Sequence, residues 1–485
     1  MTGNSKSVVD FDIEDSKNIW VSPDCGNSSE AGTYEKPFSS VSAALKIVSP
    51  GQNIILLPGI YAGDQTIEIS GSLKKPVYIA ASGGGAVIEG GCWYFYDASD
   101  LVVSGLVFRN TPHGAISMIG DCKRNRFHEI DFRDCGTAGK ASCTFYFGGC
   151  GARFNLVENC SFIRSTGTAG NGFSAQAAVV ALMVSDGDSD NPLTNHIFRR
   201  NSFCNYDKAI ILGTGSIDEF ESGHIVEYNK IENCGFEGIV VKCGDVQIRD
   251  NLISVCGQAG IAISGGSFSV IENNRVSSSS QGVTVNGTGH SVNGNCFNKC
   301  QFSAVTACGS QDDSQAAGNL FIQENTIVNC GAADNGSAVI IEGGASCIIQ
   351  KNLFYGSARA CSFQSHIDGA QSAASMKKSQ TIISGNLAWG GSHKLDGVLI
   401  DNGEFRKLSD DNFENESGFG AKGWVLSPDT FDKQAGEALN AQENYAEVYV
   451  PENEDENGDG EFSAAGNYDS GREDILDAFF PGTLS

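Results

Sequence analysis

Short β-forming runs alternate with turn residues along most of this chain, and one phrase keeps returning. A few β-formers lead to a polar residue, usually Asn, then another hydrophobic, often Cys-Gly, and a second β run. HIVEYNKIENCGFEGIVV at 224–241, VQIRDNLISVCGQAGIAI at 246–263 and FIQENTIVNCGAADNGSAVII at 321–341 are three instances. The Asn position is supplied by Asn159, Asn201, Asn229, Asn251, Asn274, Asn295, Asn325, Asn352 and Asn386. A basic period of roughly 22 residues with occasional longer intervals marks a solenoid. Each unit reads strand, turn, strand with no helical stretch, so the fold predicted is all-β, a parallel β-helix.

Like positions of successive coils then stack at about 4.8 Å. The Asn column is predicted to turn inward at a bend, its amides bonding to backbone and to the Asn above and below. Cys234, Cys256, Cys300 and Cys330 each follow a column Asn by five residues. They are predicted to form an inward column of small buried thiols.

The ends of the chain read differently. Residues 1–18 are polar and acidic and are expected to form a loose arm; the solenoid is expected over 19–395. Near its front, Phe38, Val41, Leu45 and Val48 fall on one helical face, which predicts a helix over about 38–48 stopped by Pro50-Gly51. Such a helix would cover the open edge of the first coil. The insert 165–195 and the loop 309–318 break the rhythm, and insertions in repeat proteins tend to fall on the working face. The acidic segment 396–485 is expected to cap the last coils. Within it, Asp455–Gly460 imitates the start of a calcium loop, but the twelfth position is Gly466 where an EF-hand needs Glu.

Composition narrows the partners. The net charge is −26 at pH 7, which argues against nucleic acid and leaves an anionic substrate in need of local positive charge. No apolar run reaches membrane-span length. The first twenty residues lack an apolar signal core, so the chain is either intracellular or secreted with its signal absent from this sequence. No CxxC pairs with His at zinc spacing among the 17 cysteines.

Several short runs carry a resemblance. Trp20-Val21-Ser22-Pro23-Asp24, Lys36-Pro37-Phe38, Pro50-Gly51, Leu57-Pro58-Gly59-Ile60-Tyr61, Lys75-Pro76-Val77-Tyr78-Ile79 and Val87-Ile88-Glu89-Gly90 cover about the first hundred residues. Together they resemble the start of right-handed parallel β-helix carbohydrate enzymes of the pectate-lyase-like superfamily. They are scaffold residues and imply no particular reaction.

Chemistry on a β-helix requires charged side chains gathered on one parallel sheet. Aligning the strands after the Cys-Gly turn places His113, Lys208, Glu237 and Gln281 before the strand, with Lys242, Asn286 and Glu342 after it. The run Asn233-Cys234-Gly235-Phe236-Glu237-Gly238-Ile239-Val240-Val241-Lys242, with Val246 to Asn251 following, resembles the catalytic coil of the chondroitinase-B and alginate-lyase family. In that family a Lys is the base of a β-elimination, and calcium held by Asn and Glu neutralises the uronate carboxylate. The resemblance implies Lys242 as catalytic base and Asn205, Asp207 and Glu237 as calcium ligands. Lys208, Arg249, Gln281, Asn286 and His113 are the expected substrate-binding residues. A second family acid falls at Gly235, and the family's catalytic Arg meets Ile263-Ser264. In the competing arrangement Glu237 salt-bridges Lys208 across coils and Lys242 is solvated.

Three functions fit: a lyase on a uronate-containing polysaccharide, a glycoside hydrolase, or a non-catalytic carbohydrate-binding or fibre protein. The hydrolase would pair Glu237 with Asp207 or Asp186, since adjacent coils supply the required carboxyl separation.

Overall fold

The structure is a computed structural model. It describes residues 16–25, 31–137, 143–148, 151–165, 177–181, 194–213, 222–309, 317–333, 336–342, 345–357 and 359–364, with the strand segments 381–384, 386–389, 395–396 and 405–407. These form three parallel sheets of 14, 14 and 13 strands. We call them first, second and third in the order one coil visits them, beginning at Asn18–Val21, Gly59–Ala62 and Gln65–Ile67. One coil illustrates the rest: Ile225–Glu227 in the first sheet, Lys230–Cys234 in the second, Ile239–Val241 in the third, then back to Gln247–Arg249 in the first. Every pairing between coils is parallel, and the winding is that of a right-handed β-helix.

Alternation decides what each strand buries. In Ile239–Val241, Ile239 and Val241 join the central core while Val240 faces outward. Inward residues of the second sheet stack by type, with Phe108, Phe132, Phe162 and Phe203 lying ring over ring at centroid distances of 5.5, 4.6 and 4.8 Å. Single strands of three to five residues carry no independent stability, so the coil-to-coil stacking makes the fold.

The corners explain the Asn repeat. Before each column Asn from Asn201 to Asn352 the chain makes a left-handed turn, with φ 54° at Tyr228, 55° at Asp250 and 54° at Asn273. That conformation costs about 1–2 kcal/mol for a residue with a side chain. The following Asn offsets it: Asn229 Oδ1 receives both the backbone N–H and the side-chain amide of Asn201 at 3.0 Å, and its own amide donates to Phe198 O at 2.8 Å. The pattern continues through Asn251, Asn274, Asn295, Asn325, Asn352 and Asn386. Asn159 is the exception. It is exposed in the left-handed position, φ 51°, and Cys160 occupies the column, its N–H donating to Asn201 Oδ1.

The cysteine column forms as expected. Cys234, Cys256, Cys300 and Cys330 are buried free thiols, with Ser279 completing the series between Cys256 and Cys300. A second polar column stands at the corner before the first sheet. Asn125, Asn155, His196 and His224 follow one another there, and Ser269 and His290 continue it beyond Val246.

The front and end boundaries shift. The helix is Val41–Leu45, capped by Ser40, and Phe38, Leu45 and Val48 pack on the core beside it as the pattern required. Strand Asn18–Val21 already pairs with Asn53–Leu56, so the body begins inside the expected arm. Strand Phe405–Lys407 pairs with Asn386–Trp389, so coils continue past 395. The interval 165–195 is interrupted by the third-sheet strand Ala177–Ala181. The calcium-loop imitation at 455–466, Asp186 and most of the 396–485 segment lie outside the described residues.

Candidate functional site

Two polar rails run along the outer face of the third sheet. At the leading edge, Ala177 pairs with Lys208, and Ala259 with Gln281, which pairs with Ser303. Glu237 stands between the Lys208 and Ala259 coils. At the trailing edge Lys242 follows strand Ile239–Val241, Ser264 pairs with Asn286 two coils on, and Glu342 pairs with Gln364 further along. Leading and trailing rails are five residues apart, roughly 16 Å of extended strand. Between them runs a floor of Ile211, Val240, Ala262, Thr284 and Thr306 in continuous register.

Lys208 and Glu237 meet across coils, ammonium to carboxylate at 3.0 Å, with about a fifth of each side chain exposed. Lys242 is half-buried, its backbone N–H bonded to Leu212 O at 2.7 Å, and no side-chain hydrogen bond or ion pair engages its ammonium among the described residues. Gln281 donates to Thr306 Oγ1 at 3.1 Å. Asn286 Oδ1 is shielded from water and accepts no hydrogen bond from the described residues. A shielded acceptor of this kind costs free energy unless a ligand or water meets it.

The expected metal ligands do not form a cradle. Asn205 sits in the left-handed turn before strand Lys208–Leu212 with both ends of its amide engaged: Nδ2 donates to Arg164 O at 2.7 Å, and Oδ1 accepts from Asn233 at 2.6 Å. Asp207 is 2% exposed, and Glu237 already faces the Lys208 ammonium. Register explains the difference, because Cys204 pairs with Glu232 and therefore brings Asn205 beside Asn233 rather than Gly235. No group of three His, Cys, Asp or Glu side chains converges as a metal site among the described residues. Asp207, the expected hydrolase partner of Glu237, is this same buried side chain.

Two expected substrate contacts lie elsewhere. Arg249 belongs to the first sheet, on a different face of the prism, where its Nε donates to Glu227 at 2.9 Å. His113 is exposed in the loop before strand Ile116–Ile119, three coils before Lys208.

The first sheet's outer face carries what the sequence reading missed. Its register places His128, Glu158, Arg199, Glu227, Arg249 and Glu272 one above another. Glu158 is 1% exposed and is held by Arg126, by Arg199 at 2.7 Å and by His128. Burial would raise its pKa, yet His128, Arg126 and Arg199 together hold the carboxyl well below the usual carboxylate range. The alternation of sign was available only by aligning the residues just before each column position.

The fold with these rails is a right-handed parallel β-helix, and the model of the right handed beta helix region matches residues 180–302. No curated protein matches. Among solved structures the chain is similar to the PL6 family alginate lyase AlyGC, with 17% identity, TM-score 0.57, and coverage of 81% of this chain and 53% of that one. It thus spans about half the length of that enzyme. A mannuronic acid specific polysaccharide family 6 lyase from human gut microbiota gives 18% identity and TM-score 0.58 over 88% of this chain and 99% of that one. A PL6 family polysaccharide lyase from Pseudopedobacter saltans gives 17% identity and TM-score 0.53 over 79% and 97%. At such identities the likeness establishes the fold. Among the described residues no helix is long and apolar enough to cross a membrane.

Proposed function

We propose that this protein is a polysaccharide lyase that cleaves a uronate-containing polymer by β-elimination on the outer face of the third sheet. The observation that carries the reading is Lys242, a cation without an ion-pair partner among the described residues, set on a rail with the open acceptor of Asn286. The fold shared with solved alginate lyases supports it. In this reading Lys242, in its neutral form, removes the proton beside the uronate carboxylate. The electron pair left on carbon forms the new double bond as the glycosidic oxygen departs, taking a proton from water to become a hydroxyl. Charge builds on the carboxylate during that step, so a nearby cation stabilises it. Lys208, fixed by Glu237 on the leading rail, faces the carboxylate of a neighbouring sugar unit, and Gln281 and Asn286 hold sugar hydroxyls. Calcium is not required by this arrangement, since Asn205 and Glu237 already have other partners.

The test is a screen of alginate, pectate, chondroitin and dermatan for ultraviolet-absorbing unsaturated product, with calcium and with chelator. Lys242→Ala should lower the rate about a hundredfold or more at unchanged melting temperature. New reducing ends without ultraviolet absorbance would point to hydrolysis. Cleavage unaffected by Lys242→Ala would remove the base assignment.

A further inference from the structure

The same outer face of the third sheet changes character toward the N-terminus. On strand Trp93–Tyr96 the outward residues are Tyr94 and Tyr96; on Ile116–Ile119 they are Ser117 and Ile119; on Cys143–Gly148 they include Tyr146 and Gly148. The register is continuous, with Tyr94 pairing with Ser117 and Ser117 with Tyr146. None of these six positions is charged, in a chain of net charge −26.

The three tyrosines are held, not loose. Tyr94 and Tyr96 stack with centroids 6.4 Å apart and planes 20° from parallel. The Tyr94 hydroxyl lies near the Cys92 thiol. Tyr146 lies across Gly148: a Cβ added there would stand 2.1 Å from its ring. Glycine at that position therefore lets the phenol settle against the sheet, while Tyr96 remains 37% exposed. Between the tyrosine coils stands the smaller Ser117.

Aromatic faces held on a sheet suit flat, weakly polar C–H surfaces, and their hydroxyls suit polar rims. A pyranose ring presents both. The platform is continuous with the floor between the rails, Tyr146 pairing with Val180 and Val180 with Ile211; Tyr146 is three strand spacings from the Lys242 coil, roughly 14 Å, and Tyr94 is five, roughly 24 Å.

We propose that Tyr94, Tyr96 and Tyr146 form a saccharide-stacking platform that binds the polysaccharide several sugar units from the point of cleavage. The occupant is the same chain that reaches Lys242, so the inference rests on the uronate reading. The platform's own positions are uncharged, with Asp64 near Tyr94 and Asp97 directly after Tyr96 at its edge.

Binding is measured by calorimetry on Lys242→Ala protein with trimers and decamers of mannuronate, guluronate and galacturonate. Decamers reach the platform from Lys242 and trimers do not. The expected result is tighter decamer binding, weakened roughly five- to tenfold by Tyr94→Ala or Tyr146→Ala, with trimer binding unchanged. Tyr146→Phe should retain most of the affinity. Gly148→Ala should weaken decamer binding by displacing the Tyr146 ring, with circular dichroism and melting temperature as the folding check. Decamer affinity equal to trimer affinity, indifference to both tyrosine variants, or no binding by any of the three sugars would overturn the platform. Should decamers bind through the tyrosines while wild-type protein yields no unsaturated product, the platform stands and the lyase reading falls.

Discussion

The outer faces of the first and third sheets come from the same winding, yet they treat charge in opposite ways. On the first, successive coils place opposite signs in register, from His128 and Glu158 through Arg199, Glu227 and Arg249 to Glu272. Glu158 pairs with His128 and Arg199, and Glu227 with Arg249, each one coil away, and the column is partly buried. On the third, one pair forms, Lys208 with Glu237, and the trailing rail leaves Lys242 beside Ser264 and Asn286, which cannot neutralise it. A stacked fold turns every column into a choice between self-neutralisation and availability. The first face contributes to stability; in the proposed function, the third keeps Lys242 free for a ligand.

The largest expected effect falls on the neutralised face. Glu158→Gln would leave Arg126 and Arg199 with a neutral partner in a nearly water-free position, which costs about 3–5 kcal/mol. Chemical denaturation should show the loss, while any polysaccharide cleavage measured below the melting temperature should keep its KM. A drop below about 1 kcal/mol would mean that the alternating column is ornamental, and the contrast between faces would lose its basis.

Acid probes the corner that supports the first sheet. Burial depresses His224 to about 3 and His290 to about 4, and lowers His196 well below its ordinary value. Each of the three accepts a backbone N–H at Nδ1, from His196, Ser269 and Asn155 respectively, so protonation there breaks a column bond. The unfolded chain takes up protons first, below about pH 6.5. The stability from these groups is therefore complete above that pH and falls as pH drops toward the depressed values. At pH 5 the loss is roughly 2 kcal/mol per histidine. His290→Asn keeps an acceptor in place, as Asn125 and Asn155 do lower in the column, and should flatten the stability profile between pH 6.5 and 5 by one proton's worth. An unchanged slope would show that His290 is not neutral in the folded state.

How much of this could be read from the chain depends on whether a position demands one residue type. The Asn column was legible because only a short amide side chain both accepts and donates across a tight bend. The slip at Asn159 is instructive, since Glu-Asn-Cys-Ser offers two adjacent polar residues and only the corner geometry says that Cys160 turns inward. The second column escaped notice because its bend accepts Asn, His, Ser or Val. The rails were legible because register is inherited from the core: Gln281 and Asn286 occupy equivalent places on one strand, as Glu237 and Lys242 do around another. The calcium ligands were not, because the interval between coils differs at the turn and at the strand. Cys204 pairs 28 residues ahead with Glu232, whereas Ile210 pairs 29 ahead with Ile239. The 28-residue interval at the turn sets Asn205 beside Asn233, two residues short of Gly235.

A matched pair of variants measures how much that corner contributes. Asn251→Ala removes the acceptor for Asn229 N–H and the donor to Val226 O, leaving buried groups without partners at a cost of about 2 kcal/mol. Asn159→Ala, on an exposed turn, should stay within about 0.5 kcal/mol. Equal losses would mean that the column contributes no more than any surface Asn.

The smallest expected effect is the most discriminating for function. Arg249 lies seven residues after Lys242 in the chain, but the intervening corner carries it onto the first sheet and into the alternating column beside Glu227. Its side chain is 30% exposed, and solvent screening limits what the pair contributes to about 1 kcal/mol. Arg249→Ala should therefore lower the melting temperature slightly and leave kcat and KM on any cleaved polymer where they were. Lys208→Ala, on the leading rail, should raise KM severalfold at similar stability. If Arg249→Ala instead impaired cleavage as much as Lys208→Ala, the polymer would have to touch both faces of the prism. The separation of a neutralised face from a working one would then fail.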